Sequence, residues 1–170
     1  MRRPVAYRGL MDTWAEFSVI MGGAAAALVG LLFVAVSIRA DFVSRSGAVR
    51  SRLAQTLTIF LGLLASSILL AVPNPARWML GVELFAVSML MTTAHVILNR
   101  RAQSGADRRR LGPILDRVNP NITTAVLIGL CGLVLVFGLE AGLFLLAAAA
   151  LVGFVGGAVS AWLVLVLPED

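Results

Sequence analysis

The chain has 170 residues, 59% of them hydrophobic and 14% charged, with 14 basic and 9 acidic groups and a formal charge of +5; its mean hydropathy is +0.94. A water-soluble domain carries roughly 25% charged residues spread over every outward face, whereas here the charges are confined to short stretches between long apolar runs, which excludes a soluble fold. Every basic residue is Arg, and the Arg residues flank the apolar runs, an arrangement that points to lipid headgroups and membrane topology and away from nucleic acid.

The first apolar run is Phe17–Ile38, preceded by a tail with Arg2, Arg3 and Arg8. A spanning helix needs about 20 apolar residues. Lipid offers the backbone no hydrogen-bond partner, so a run of this length is expected to be helical. Its core is too long for a signal peptide and no cleavage site closes it, so it is expected to be retained. Gly22, Ala26 and Gly30 recur at four-residue spacing along it. Such a pattern makes a flat groove on one helix face where a second backbone can approach closely.

The first loop carries Arg39, Arg45, Arg50 and Arg52, and the second run is Leu53–Val72, with Ser66 and Ser67 toward its end. The segment Val72-Pro73-Asn74-Pro75 closes it and opens the third run, Trp78–Leu98, with Asn74 expected as a cap and Pro75 at the first helical position. Glu83 is the one carboxylate well inside a run, about 7–8 Å deeper than Trp78 at the helical rise. A carboxylate at that depth is costly unless it is protonated, paired or wet. Protonated, it has Ser66 and Ser67 as expected partners at similar depth on the antiparallel second helix. Paired, it has Arg77 nearest in sequence; the plainer alternative is that its side chain reaches the outer interface. Wet, it lines a path. The protonated reading is favoured because no basic residue lies within a run.

His95, the single histidine, follows Thr92 and Thr93 near the other end of the third run. Alone it is a poor metal site, since stable sites need three or four ligands. Ser37, Gln55, Thr56, Thr58, Asn99, Thr123, Thr124 and Ser160 share its expected level. The group reads either as ordinary interfacial polarity with hydroxyls bonded back to their own helices, or as a polar pocket open at that end.

The third loop contains Arg100, Arg101, Arg108, Arg109, Arg110 and Arg117. It is expected to meet lipid headgroups or dock a protein, and Leu111, Ile114, Leu115 and Val118 have the spacing of a short amphipathic helix. Asn119-Pro120-Asn121 then opens the fourth run, Ile122–Leu139, which holds the only cysteine, Cys131. A tight turn over Gly138–Gly142 leads to the fifth run, Ala141–Leu167, where Ala149, Gly153, Gly157 and Ala161 repeat the four-residue spacing. Packing inside one bundle is the favoured reading of both grooves, and a homo-oligomer or partner interface is the alternative.

With five spans, the first and third loops share a side with the C-terminal end. That side holds ten Arg against four on the other. The positive-inside rule places the ten in the cytoplasm, the N-terminal end outside and the C-terminal end inside. Trp14, Trp78 and Trp162 lie near run ends, as interfacial anchors do.

No Walker loop, GxGxxG, HExxH, CxxC or GxSxG occurs, and no run pairs two carboxylates. The sequence therefore carries the expectation of no catalytic residue, no cofactor and no metal. The segment Gly22-Gly23-Ala24-Ala25-Ala26-Ala27-Leu28-Val29-Gly30-Leu31-Leu32-Phe33-Val34-Ala35-Val36-Ser37-Ile38 resembles the first helix of small actinobacterial membrane proteins, some of them described as modulators of the FtsH protease. The resemblance extends to the Arg-rich first loop and the Pro after the second run. It implies a bacterial inner-membrane location and a binding role, and it supplies no catalytic residue.

The expectation is thus a single all-α transmembrane domain of about five spans. It would be a non-enzymatic accessory or regulatory subunit whose partners are lipids and another membrane protein or further copies of itself. A small oligomeric channel or transporter using Glu83 and the polar level of His95 is the alternative.

Overall fold

The computed structural model describes residues 5–73, 76–103 and 119–166. Six helices follow in order: α1 Val5–Ile38, α2 Ala40–Arg45, α3 Gly47–Ala71, α4 Arg77–Gln103, α5 Pro120–Val136 and α6 Gly142–Val166. No strand occurs among the described residues, and the fold is an all-helical bundle. Parts of α1, α3, α4 and α6 are long and apolar enough to cross a membrane, and α5 is a shorter apolar helix of 17 residues.

The helix limits follow local chemistry. Between α2 and α3, Ser46 is extended and its side chain accepts a hydrogen bond from the Val49 amide at 3.4 Å, capping α3. Val72 is also extended, as the residue before a proline must be, and this stops α3. The Asn119 side chain accepts from the Asn121 amide at 3.1 Å, with Pro120 at the start of α5 where a missing N–H costs nothing. Past the end of α5, Gly138 takes φ +83°. Its amide donates to Leu135 O and the Leu139 amide to Val134 O, a paired closure that needs the left-handed residue and reverses the chain into α6.

Helix α3 begins at Gly47, ahead of the expected Leu53, and α4 runs to Gln103, past the expected Leu98; two larger differences lie earlier in the chain. The first helix begins at Val5, well before Phe17, because nothing in the polar stretch breaks it. A short helix, α2, forms in the first loop, where a loop alone was expected. The expected caps at Asn74 and Pro75, and the amphipathic segment Leu111–Val118, lie outside the described residues.

Helix α3 is the centre of the bundle, with α1, α4, α5 and α6 packed on it. The largest helix pair is α4 with α5, and their register is antiparallel: Gly81 meets Gly132, Ser88 meets Ala125, and His95 meets Asn119. The core gathers Met21, Phe60, Leu63, Leu84, Ile128 and Leu146 from all five long helices, and a smaller cluster of Leu32, Val49 and Leu53 lies toward α2. Val19, Ile20, Leu31, Leu90, Phe144 and Leu151 are exposed on the outside. A bundle with aliphatic side chains on both its inside and its outside is built for lipid, not water.

Candidate functional site

The basic end of the bundle holds the densest set of polar contacts. His95 is buried on α4, and its Nε2 lies 3.2 Å from the Asn119 side-chain nitrogen. The cap on α5 fixes the Asn119 amide, because its oxygen already accepts from the Asn121 amide. The nitrogen therefore faces His95 and donates, so Nε2 accepts and the proton of the neutral ring sits on Nδ1. That Nδ1, Asn121 Oδ1 and Thr124 Oγ1 are buried with no hydrogen-bond partner among the described residues. Nearby, Ser51 Oγ donates to Leu98 O across the α3–α4 contact at 3.0 Å. Most of the remaining hydroxyls bond back to their own helices, among them Thr56, Thr58, Thr92 and Thr123.

Glu83 is half-buried on α4. The structure does not bring it to Ser66 or Ser67. Ser66 Oγ donates to Gly62 O at 2.8 Å and Ser67 Oγ to Leu64 O at 2.7 Å, so both hydroxyls are bound within α3. Ser67 also faces α1, where it fills the space a side chain would need at Gly22. Arg77 does not serve Glu83 as its ion-pair partner; it pairs with Glu140 in the α5–α6 turn. No hydrogen bond or ion pair joins Glu83 to another described residue.

The two small-residue grooves have different fates. On α6, Gly153 packs on Ile59 and Leu63 and Gly157 on the Phe60 ring, both inside the bundle. On α1, Gly22 packs on Ser67, but Ala26 and Gly30 are exposed, and a methyl added at Gly30 would meet no neighbouring element within 4 Å among the described residues. Arg100 is exposed near the end of α4. Of the other docking arginines, Arg101 lies within α4, and Arg108, Arg109 and Arg110 lie outside the described residues.

Sequence reasoning missed the closest approach of two helix backbones, between α4 and α5. A methyl on Gly81 would meet Gly132 O at 2.7 Å, one on Gly132 would meet Gly81 O at 2.5 Å, and one on Gly129 would meet Ser88 Oγ at 2.7 Å. Ser88 Oγ donates to Ala125 O across this contact at 2.7 Å. Gly129 and Gly132 are three apart and Gly81 stands alone on its helix, so a search for four-residue spacing passes over them. The Arg77–Glu140 pair had a signal: both residues lie in loops that the expected topology puts on one side.

Among the described residues, no group of three or more His, Cys, Asp or Glu stands together as a metal site would require. Comparison with protein-family models, curated proteins and solved structures finds no match for this chain.

Proposed function

We propose that this chain is a non-enzymatic accessory or regulatory subunit of the bacterial inner membrane, acting by lateral helix packing and through its basic cytoplasmic loop. The observation that carries this reading is the outer face of α1. Ala26 and Gly30 stand exposed there, whereas Gly153 and Gly157 of α6 are packed inside the bundle. Only 17% of the apolar window of α1 is buried, against 50% for α3. Small residues on a lipid-facing side give a partner backbone close approach, which is how helices associate where the hydrophobic effect is weak. The resemblance of α1 to small membrane proteins described as protease modulators agrees with a role in binding. The Arg distribution supports an N-terminal end outside and a C-terminal end inside, with the third loop on anionic headgroups or a docked protein.

The test is purification from native membranes in mild detergent, followed by native mass spectrometry. The reading predicts a complex of fixed stoichiometry that is lost on Gly30→Trp and kept on Leu151→Trp, a change on the outer face of α6. A lone chain, with no partner and no second copy, would contradict it. The channel reading has one observation in its favour, the buried atoms of His95, Asn121 and Thr124 that have no hydrogen-bond partner among the described residues. Ion flux in vesicles reconstituted with the pure chain separates it from the first.

A further inference from the structure

The ring of helices around α3 has a missing position. At about 100° per residue, Gly62 on α3 faces Met91 of α4; Ile59, Leu63 and Phe60 face Gly153 and Gly157 of α6; and Ser67 faces Gly22 of α1. The arc left over runs between α1 and α4 and contains Leu61 and Ile68, which are 47% and 60% exposed. Helices α1 and α4 do not touch each other among the described residues. The result is an apolar trough with α3 as its floor. The α1 wall is the side away from Trp14 and Phe144, with Ala26 and Gly30 exposed along it. The α4 wall is the side away from α5, and Glu83, Val87 and Leu90 lie there.

Glu83 is the ionisable group on the α4 wall, and Glu16 is exposed on α1 near the start of its apolar run. Glu83 lies six residues past Arg77, about 9 Å deeper along α4 than the Arg77–Glu140 pair. A carboxylate so placed calls for a donor at the same depth. This chain has no Arg or Lys within its apolar runs, so a second copy has no cation to supply. A two-fold contact through the trough would place two Glu83 carboxyls in one interface with no cation between them. Charge and shape thus favour a different chain.

We propose that the trough between α1 and α4 is the docking site for one transmembrane helix of a partner protein, with a basic side chain on that helix paired to Glu83. The inference rests on the subunit reading above and adds the surface and the chemistry of the partner. The small residues of the α1 wall let the partner backbone come close, and Leu61 and Ile68 cover its apolar side.

The test uses the full chain in phospholipid vesicles and two synthetic leucine–alanine helices. One carries a single Arg about 9 Å from one end, and the other carries Leu there. Association is read by energy transfer between labelled protein and labelled peptide. The Arg peptide is expected to bind about tenfold more tightly than the Leu peptide. Glu83→Gln is expected to abolish the difference, and Glu83→Arg to shift the preference to a peptide with Glu at that place. Leu61→Trp, which fills the floor, is expected to weaken binding of the Arg peptide. Equal binding of both peptides to wild type, as expected if lipid chains fill the trough, overturns the proposal. So does a preference that survives Glu83→Gln, or a crosslinker at Leu61 that captures a second copy of this chain. A native complex that persists while the peptides fail would leave the subunit reading standing and sink only the trough.

Discussion

At the scale of single residues, the bundle treats its polar side chains in two ways. Ser66, Thr56, Thr58 and Thr92 spend their hydroxyls on their own helices. The Ser88 and Ser51 hydroxyls, and the Asn119 amide toward His95, bond between elements instead. Only the second kind ties elements together. Ser88→Ala is therefore expected to destabilise the bundle by about 0.6–1.7 kcal/mol, the range of interhelical bonds in membranes. Ser66→Ala, equally buried, is expected to change stability much less. Unfolding in a denaturing detergent, compared for the two variants, checks this. The Arg77–Glu140 pair is more than a quarter exposed on both sides, so solvent screens it. A double-mutant cycle with Arg77→Ala and Glu140→Ala is expected to give a coupling of about 0.5 kcal/mol. A coupling above about 2 kcal/mol would show that the pair is drier than its exposure indicates.

At the scale of elements, close approach is decided by glycines whose missing side chains are replaced by a neighbour's atoms. Gly132→Leu must push α5 off the α4 backbone, because the obstacles are Gly81 O and the Phe85 amide, which cannot rotate away. Gly157→Leu meets the edge of the Phe60 ring, which has some freedom to turn. Gly30→Leu meets open space. Thermal stability is expected to fall most for Gly132→Leu, by about 3 kcal/mol, the upper end of the usual range for overpacking, less for Gly157→Leu, and little for Gly30→Leu in the isolated chain. A large loss for Gly30→Leu would mean that its face is already occupied.

The same elements show what was legible in the sequence. The helices themselves were, because apolar runs of about 20 residues leave the backbone one way to satisfy its hydrogen bonds. Four of the five expected runs end within a few residues of their helices, and α1 alone extends far beyond its run. Helix rotation was less legible. Lipid and core demand the same side chains, so the apolar pattern does not say which face turns inward. This is why the groove of α6 could be assigned to the interior only by structure, and why Ser66 and Ser67 were matched with Glu83 by depth when their rotation around α3 takes them elsewhere. The α4–α5 contact stayed hidden because a lone Gly81 carries no period.

At the scale of the whole molecule, every depth and every proposed surface depends on the number of crossings. Helix α5, with 17 residues, is the shortest of the five long helices and the one on which the count turns. Its 17 residues rise about 25 Å, somewhat less than the roughly 30 Å hydrocarbon core, a mismatch that local thinning of the bilayer accommodates. Ser44 on α2 and Leu139 in the α5–α6 turn are both exposed and are separated by α3, α4 and α5. Three crossings put them on opposite sides, and two put them on the same side. The decisive measurement is labelling of Ser44→Cys and Leu139→Cys in intact cells with an impermeant thiol reagent, on a Cys131→Ala background. The account predicts that the cysteine at position 139 reacts from outside and that the one at position 44 reacts only after the membrane is opened. Equal labelling of both would remove α5 as a span, and the reverse pattern would invert the bundle and take its basic loops out of the cytoplasm.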